Sequence, residues 1–259
     1  MAIFCPLYSG SRGNSTLISA NNKSILIDIG VSCSKMIKSL TDKIEDINKI
    51  SAIFITHEHS DHISGLKTFI KKFNIPVYCS VQTAKTLRQI YNDEFEITDF
   101  SDYISIDGFT VKRFNTSHDC LGSSGYRVTT PDNKTIAVCT DLGFVSDEVH
   151  ENLLGCDLVM LESNHEVSML QSGTYPYELK RRILSDNGHL SNVCCAEEIT
   201  KLAQNGCKKF VISHISKDNN HPIIALQNIE LALSLCGYTK DLDYIIEAAT
   251  QENGKLMIV

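Results

Sequence analysis

Thr56-His57-Glu58-His59-Ser60-Asp61-His62 follows directly on the apolar run Ser51-Ala52-Ile53-Phe54-Ile55 and precedes a helical pattern that starts near Asp61. Imidazoles and a carboxylate packed this densely at a strand-to-helix turn converge naturally on metal, because neutral imidazole nitrogen and carboxylate oxygen suit zinc and similar divalent ions. In an extended segment His57 and His59 point the same way. Asp61 and His62, at the turn, then reach a second position a few ångströms on. A solvated polar turn is the ordinary reading of any one of these residues. The whole cluster makes a metal site the working expectation.

A hydrolytic metal site also needs groups from elsewhere, which fix its geometry while leaving positions open for water and substrate. Candidates close later strand-like runs: His118 in Asn115-Thr116-Ser117-His118-Asp119, Asp141 in Val138-Cys139-Thr140-Asp141-Leu142-Gly143, and His214 in Val211-Ile212-Ser213-His214. Each alone reads as a cap or turn residue; beside the primary cluster each becomes a ligand candidate. Phe54-Ile55-Thr56-His57 and Val211-Ile212-Ser213-His214 share an apolar-apolar-hydroxyl-His pattern. Two strands delivering comparable ligands to one edge would give one domain over residues 1–259, built from two similar halves.

Further out, short β-branched runs at 15–20, 24–30, 51–57, 76–80, 109–114, 124–130, 134–141, 157–163 and 208–214 predict strands. Helical spacing appears at 61–73, 81–91, 176–185, 192–205 and 221–235. That mixture predicts an α/β fold with helices packed outside β-sheets. The 259 residues, 42% hydrophobic and 21% charged, supply a sizeable core and exclude a wholly disordered chain. No apolar run approaches the ~20 residues of a membrane-spanning helix, and the start MAIFCPLYSGSRG lacks signal-peptide character, so a cytoplasmic protein without a membrane partner is expected. The ten cysteines are scattered with no C-x-x-C, which reads as reduced, buried small hydrophobes.

A net charge of −7 argues against a nucleic-acid coat over the whole molecule. Locally, residues 63–92 carry Lys67, Lys71, Lys72, Lys85 and Arg88 without an acid, while 93–107 carry six acids without a base. A pair of solvated faces is the preferred reading; the sharper one is a basic shoulder beside an active site, with salt-sensitive affinity for phosphates.

The order Asp28, then His57, His59, Asp61 and His62, then His118, Asp141 and His214 resembles the metallo-β-lactamase-fold hydrolases over most of the chain. The resemblance implies a four-layer αββα sandwich with the metal site at one edge of the two sheets. It implies that His57, His59 and His118 hold one metal, that Asp61, His62 and His214 hold the other, and that Asp141 bridges both. Asp28 would sit behind a ligand histidine and fix its tautomer. Within that superfamily, Ser9-Gly10-Ser11-Arg12-Gly13-Asn14-Ser15, Glu162-Ser163-Asn164-His165-Glu166, Gly188-His189-Leu190-Ser191-Asn192 and His214-Ile215-Ser216-Lys217-Asp218-Asn219-Asn220 look like the bacterial YycJ/WalJ branch. That branch is similar to the ribonuclease Z and RNase J groups and implies DNA exonuclease activity. The chain has no room for the inserted β-CASP domain of RNase J and no long tRNA-gripping arm.

The expected activity is therefore that of a dinuclear phosphodiesterase holding two divalent ions, zinc, manganese or iron, with nucleic acid as substrate and DNA favoured over RNA. Two such ions against Asp61, Asp141 and a bridging hydroxide leave roughly one net positive charge facing an anionic substrate. The bridging hydroxide is assigned as nucleophile. By similarity to the ribonuclease Z group, His189, just before the Ser191-Asn192 start of the 192–205 helix, is the general acid and Glu162 orients it; Asp61 is counted with them as catalytic. His165 and the Ser9–Ser15 loop stay open between substrate contact and plain loop. A hydrolase of small esters, lactones or thioesters is the alternative, and a metal-stabilised binding module without catalysis is a third reading.

Overall fold

The computed structural model describes residues 1–44 and 46–259. The first half of the chain builds β1 (Ile3–Tyr8), β2 (Ser15–Ala20), β3 (Lys23–Ile27), β4 (Ile50–Phe54), β5 (Val77–Cys79) and β6 (Ile97–Asp99). The second builds β7 (Tyr103–Ile106), β8 (Phe109–Asn115), β9 (Ser124–Thr129), β10 (Thr135–Cys139), β11 (Leu158–Glu162), β12 (Lys209–Ser213) and β13 (Ile245–Ala248), and β14 (Met257–Ile258) returns to pair with β1. Two seven-stranded sheets result, ordered β14-β1-β2-β3-β4-β5-β6 and β13-β12-β11-β10-β9-β8-β7. In both, an antiparallel run of hairpins passes into a parallel run, from β3 onward in one and from β10 onward in the other.

Alternation along the strands assigns each residue to a layer. Ile18, Ile25, Ile27 and Phe54 of the first sheet meet Val111, Tyr126, Val138, Met160 and Val211 of the second in a buried inter-sheet core. The opposite faces are covered by helices. Leu17, Leu26 and Ile53 pack under α1 (Cys33–Thr41), α3 (Leu66–Phe73) and α4 (Val81–Tyr91), the short α2 (Ser60–Ile63) preceding α3. Ala137, Val159, Leu161, Phe210 and Ile212 pack under α5 (Asp147–Leu153), α8 (Asn192–Gln204) and α9 (Pro222–Leu235). Between β11 and α8 the chain adds α6 (Val167–Ser172) and α7 (Tyr177–Ile183). This is the αββα sandwich that the family resemblance implies, and strands covered on both sides explain why so many read as continuous apolar runs.

Phe54 is the aromatic hub between the sheets, fully buried against Tyr78, Phe100 and Tyr126 at ring-centre distances of 5.5, 6.0 and 5.6 Å. Phe54→Ala should therefore lower stability by about 3–5 kcal/mol. Chemical denaturation with an unchanged slope in denaturant checks this; a loss below about 1 kcal/mol would mean that the sheets close over the gap.

Two differences from the predicted elements have local causes. The single helix expected at 61–73 is two, because the chain breaks at Ser64 and Gly65, where a side chain on Gly65 would come within 1.9 Å of the Val31 carbonyl. β1 was not predicted; Pro6 interrupts its pattern and sits where the β1–β2 register shifts. The short β6, β7, β13 and β14 and the helices α1, α5 and α6 also lie outside the predicted segments. All ten cysteines are free; seven are buried, Cys120 is half-buried, and Cys194 and Cys236 are exposed. Among the described residues no helix is long and apolar enough to cross a membrane.

Candidate metal centre

The parallel strands end together at one edge of the sandwich, and the chain turns sharply there. Asp28 follows β3, His57 and His59 follow β4, Asp141 follows β10, Glu162 ends β11 and His214 follows β12. Asp28, Asp141 and His214 all adopt left-handed backbone, with φ of 64°, 59° and 51°. Such a conformation costs a non-glycine residue of the order of 1 kcal/mol or more and persists where the surroundings over-determine it. Glycine would remove the strain and, with it, the side chain that each turn aims inward.

Behind the first turn, Asp28 Oδ1 accepts the Thr56 amide at 2.8 Å and Asp28 Oδ2 accepts both the Thr56 hydroxyl and His62 Nδ1–H at 2.8 Å. That network leaves the lone pair of His62 on Nε2, the nitrogen that faces into the site. Thr56 Oγ1 lies 3.1 Å from His57 Nδ1, which leaves His57 Nε2 facing His59 Nδ1 at 3.1 Å. His118 Nδ1–H donates to the Gly188 carbonyl at 3.1 Å and frees its Nε2 toward the same point. A side chain on Gly188 would stand 2.2 Å from the Ile183 carbonyl, so only glycine lets this turn close over His118. His57, His59 and His118 thus form one cluster of converging donors, and Asp61, His62 and His214 form a second.

Asp141 lies between the two clusters. Its Oδ2 is 3.3 Å from His62 Nε2, and its Oδ1 is 3.9 Å from His118 Nε2. Both Asp141 Oδ2 and His214 Nε2 are buried without a hydrogen-bond partner. An orphaned carboxylate oxygen and an orphaned imidazole nitrogen in one buried site are expensive unless a cation completes them. The donor set therefore fits divalent metal: nitrogen and carboxylate oxygen only, in two groups that share one acid. The charges of the site are mixed. Burial opposes protonation of His62 and His214, but Asp28 and Asp141 beside His62 and Asp141 beside His214 outweigh it and raise both above the ordinary imidazole value, so metal binding there would release protons. Burial opposes ionisation of Asp141, yet His214 and His62 hold its carboxyl well below the usual range. Burial, with His62 alongside, keeps His57 well below its ordinary value and so neutral, as a ligand must be.

Glu162 is buried, and both its oxygens are saturated. Oε1 accepts His189 Nδ1–H at 2.8 Å and His214 Nδ1–H at 2.7 Å, and Oε2 accepts the Leu142 and Leu190 amides at 3.1 Å. An acceptor so fully used orients imidazoles; it has little left for a metal of its own. His189, held by Nδ1, turns its free edge into an open pocket of about 240 Å³ that His59, Asp61, His118, Asp141 and His214 also line. Burial works against its protonation, but Glu162 outweighs it and raises His189 above the ordinary imidazole value. Ser191, whose hydroxyl accepts the Cys194 amide, caps α8 beside it.

Every sequence-predicted site residue is therefore brought to this edge. Three further residues were not predicted. Asn14 Nδ2 lies 3.2 Å from Asp61 Oδ2 and 3.0 Å from His62 Nε2. Asp119 Oδ1 lies 3.5 Å from His59 Nε2, and Arg182 of α7 binds Asp119 through Nε at 2.6 Å and walls the pocket. Asn14 lay within the Ser9–Ser15 loop already singled out; nothing local marks Arg182, which α7 carries in from 63 residues beyond Asp119. His165 is buried with both ring nitrogens unpartnered and does not line the pocket. The basic shoulder dissolves into solvated faces: Glu94 binds both Lys67 and Lys71, Asp99 binds Arg88, and none of the five cations lines the pocket.

Comparison with known proteins agrees with this architecture. The β-lactamase superfamily domain matches residues 23–215. The chain is 34% identical over 240 residues to the exodeoxyribonuclease YycJ of Bacillus anthracis, covering 91% of this chain and 90% of that one. It is 35% identical over 220 residues to the exodeoxyribonuclease WalJ of Streptococcus pneumoniae, covering 83% and 81%. Among solved structures, the metallo-β-lactamase-fold protein YhfI of Bacillus subtilis superposes with a TM-score of 0.76 over the full length of both chains at 14% identity.

Proposed function

Because the chain belongs to the β-lactamase superfamily, we propose that it is a metal-dependent phosphodiesterase that degrades DNA from its ends in the cytoplasm, working as one domain. The exodeoxyribonuclease names of its relatives support the choice of DNA. The observation that carries the reading is the Glu162 carboxylate, which holds His189 with one oxygen and aims its free edge into the pocket shared with the metal donors. A phosphodiester needs what this arrangement offers: donors for cations on the anionic phosphate and an acid for the departing sugar oxygen.

His57, His59 and His118 would hold one ion, Asp61, His62 and His214 the other, with Asp141 between them; zinc and manganese both accept such nitrogen and oxygen donors. Bound there, the ions would supply Lewis acidity and an activated water. The chain's own groups do the rest. Asp28 fixes the His62 tautomer, Glu162 fixes those of His189 and His214, and Asp61 and Asp141 set the negative charge that the substrate meets. Glu162 favours the protonated form of His189 against the effect of burial, and His189 would deliver that proton to the leaving oxygen.

Hydrolysis of small esters, lactones or thioesters would use the same donors but has no need of His189. Turnover of bis-p-nitrophenyl phosphate against a lactone and thioester panel separates the two, followed by end-labelled DNA and RNA strands in added manganese. Phosphodiester turnover with DNA shortened stepwise from its ends is expected. Turnover of the acyl panel alone would overturn the proposal, and a clear preference for RNA would overturn its choice of nucleic acid.

A further inference from the structure

We infer that the small cavity beside the β1–β2 loop is a phosphate subsite, which takes the phosphate group adjacent to the one being cut. The inference rests on the phosphodiesterase reading and extends it to substrate positioning. The cavity measures about 90 Å³, several times the ~10–15 Å³ that one water requires. Ser11, Tyr175 and Ser216 line both it and the metal pocket, so the two are continuous.

Its charge is unspent. Arg12 and Lys217 line it, both exposed, and neither makes a hydrogen bond or ion pair with another described residue. Nearby cations are engaged: Arg182 by Asp119, Lys35 by Glu252, and Lys180 by the Gln171 and Gly173 carbonyls. Glu252, which Arg12 feels at longer range, is thus already partnered. The lining's one carboxylate, Asp218, accepts the Tyr175 hydroxyl at 2.9 Å. A dianionic or monoanionic oxygen cluster entering here meets two free cations.

The loop is also rigid and tied to the metal donors. The Gly10 amide donates to Asn14 Oδ1 at 2.9 Å and the Gly13 amide to the Gly10 carbonyl at 2.9 Å. Gly13 has φ +150°, and a side chain on it would lie 2.2 Å from Val31 Cγ1. The Asn14 amide donates to the Asp61 carbonyl at 2.7 Å, and Ser9 Oγ accepts the His214 amide at 2.8 Å. One residue from each side of the second donor cluster is clamped to this loop, so the cavity keeps a fixed distance from the reacting centre. Fixed spacing is what a subsite needs if it is to register a strand.

The phosphate can be a terminal monoester or an internal backbone diester of the same strand, and the test separates them. Arg12→Ala, Lys217→Ala and the double variant are compared with wild type on DNA bearing a 5′-phosphate, a 5′-hydroxyl or a 3′-phosphate, and on bis-p-nitrophenyl phosphate, which has no second phosphate. For the double variant kcat/KM on DNA should fall about 10- to 100-fold, at least tenfold more than on the small diester. A preference of wild type for one phosphorylated end that vanishes in the variant identifies a terminal monoester; an equal fall on all three strands identifies a backbone phosphate. Equal losses on DNA and the small diester, or no loss on either, overturn the subsite. Binding of a fluorescein-labelled strand in chelator gives a second readout, independent of turnover. There the double variant should bind about tenfold more weakly, with the salt slope reduced by about one per cation removed. If wild type cleaves no phosphodiester the functional reading fails, and this binding measurement alone then decides the subsite: equal affinities sink it.

Discussion

Asp141→Asn is expected to reduce bound metal from two ions per chain to one or fewer and to cut DNA cleavage by at least about 10³-fold, equivalent to about 4 kcal/mol of transition-state stabilisation. Asparagine is the informative substitution because Asp141 sits at φ 59°, a left-handed conformation that Asn tolerates better than Ala. Only the charge is then removed. That charge is the one acid shared by both donor groups, 3.3 Å from His62 Nε2 on one side and 3.9 Å from His118 Nε2 on the other. Without it, two cations would stand close together among imidazoles, with Asp61 the remaining carboxylate donor, and their mutual repulsion would go largely uncompensated. Elemental analysis reads the stoichiometry. Melting with and without added metal reads the same loss thermodynamically, since a ligand at 100 times its Kd stabilises by about 2.7 kcal/mol and that increment should shrink in the variant. Two ions retained with wild-type turnover would show that Asp141 is dispensable to the site.

What the sequence revealed of this site follows from how locally each part is encoded. His57, His59, Asp61 and His62 lie within one turn, so their convergence is a consequence of strand and helix periodicity and is legible by eye. His118, Asp141 and His214 could be nominated because each closes a β-branched run; β10 and β12 run parallel and β8, two antiparallel steps from β10, points the same way, so all three runs end at one edge. Orientation was less legible. Asp28 and Glu162 came only through family resemblance, and nothing in the sequence indicates that Glu162 Oε1 serves His214 as well as His189, because that depends on the register of β11 beside β12. Asn14 and Arg182 were missed for the same reason. Each reaches the site from an element whose own pattern reports only a loop or a helix. Two of the departures in the fold have a local cause: Pro6 hides β1, and Gly65, forced by close approach to Val31, divides a helix that periodicity alone would run through.

His189→Ala should lower kcat on DNA by about 10²- to 10⁴-fold, the range for loss of a positioned general acid, while both metals remain. His189 gives its Nδ1 to Glu162 and, although it also converges with Asp141, Glu162 and His214, it belongs to neither of the two donor groups assigned to the ions, His57-His59-His118 and Asp61-His62-His214. The sharper expectation concerns leaving groups. A sugar alkoxide departs poorly unless protonated; p-nitrophenolate departs readily without help. The variant should therefore lose far less on bis-p-nitrophenyl phosphate than on DNA, a split that general damage to the site cannot produce. The pH profile supplies a third readout, with its sign set by Glu162. Burial lowers the His189 value and Glu162 raises it further than burial lowers it, so the acid form is populated below a value above the ordinary 6.5, and DNA cleavage falls as pH rises through it. That alkaline limb should vanish in His189→Ala. In Glu162→Gln, which removes the charge that sustains the proton, it should shift to lower pH. Equal losses on the two substrates, with the alkaline limb intact, would move the acid from His189 to another group.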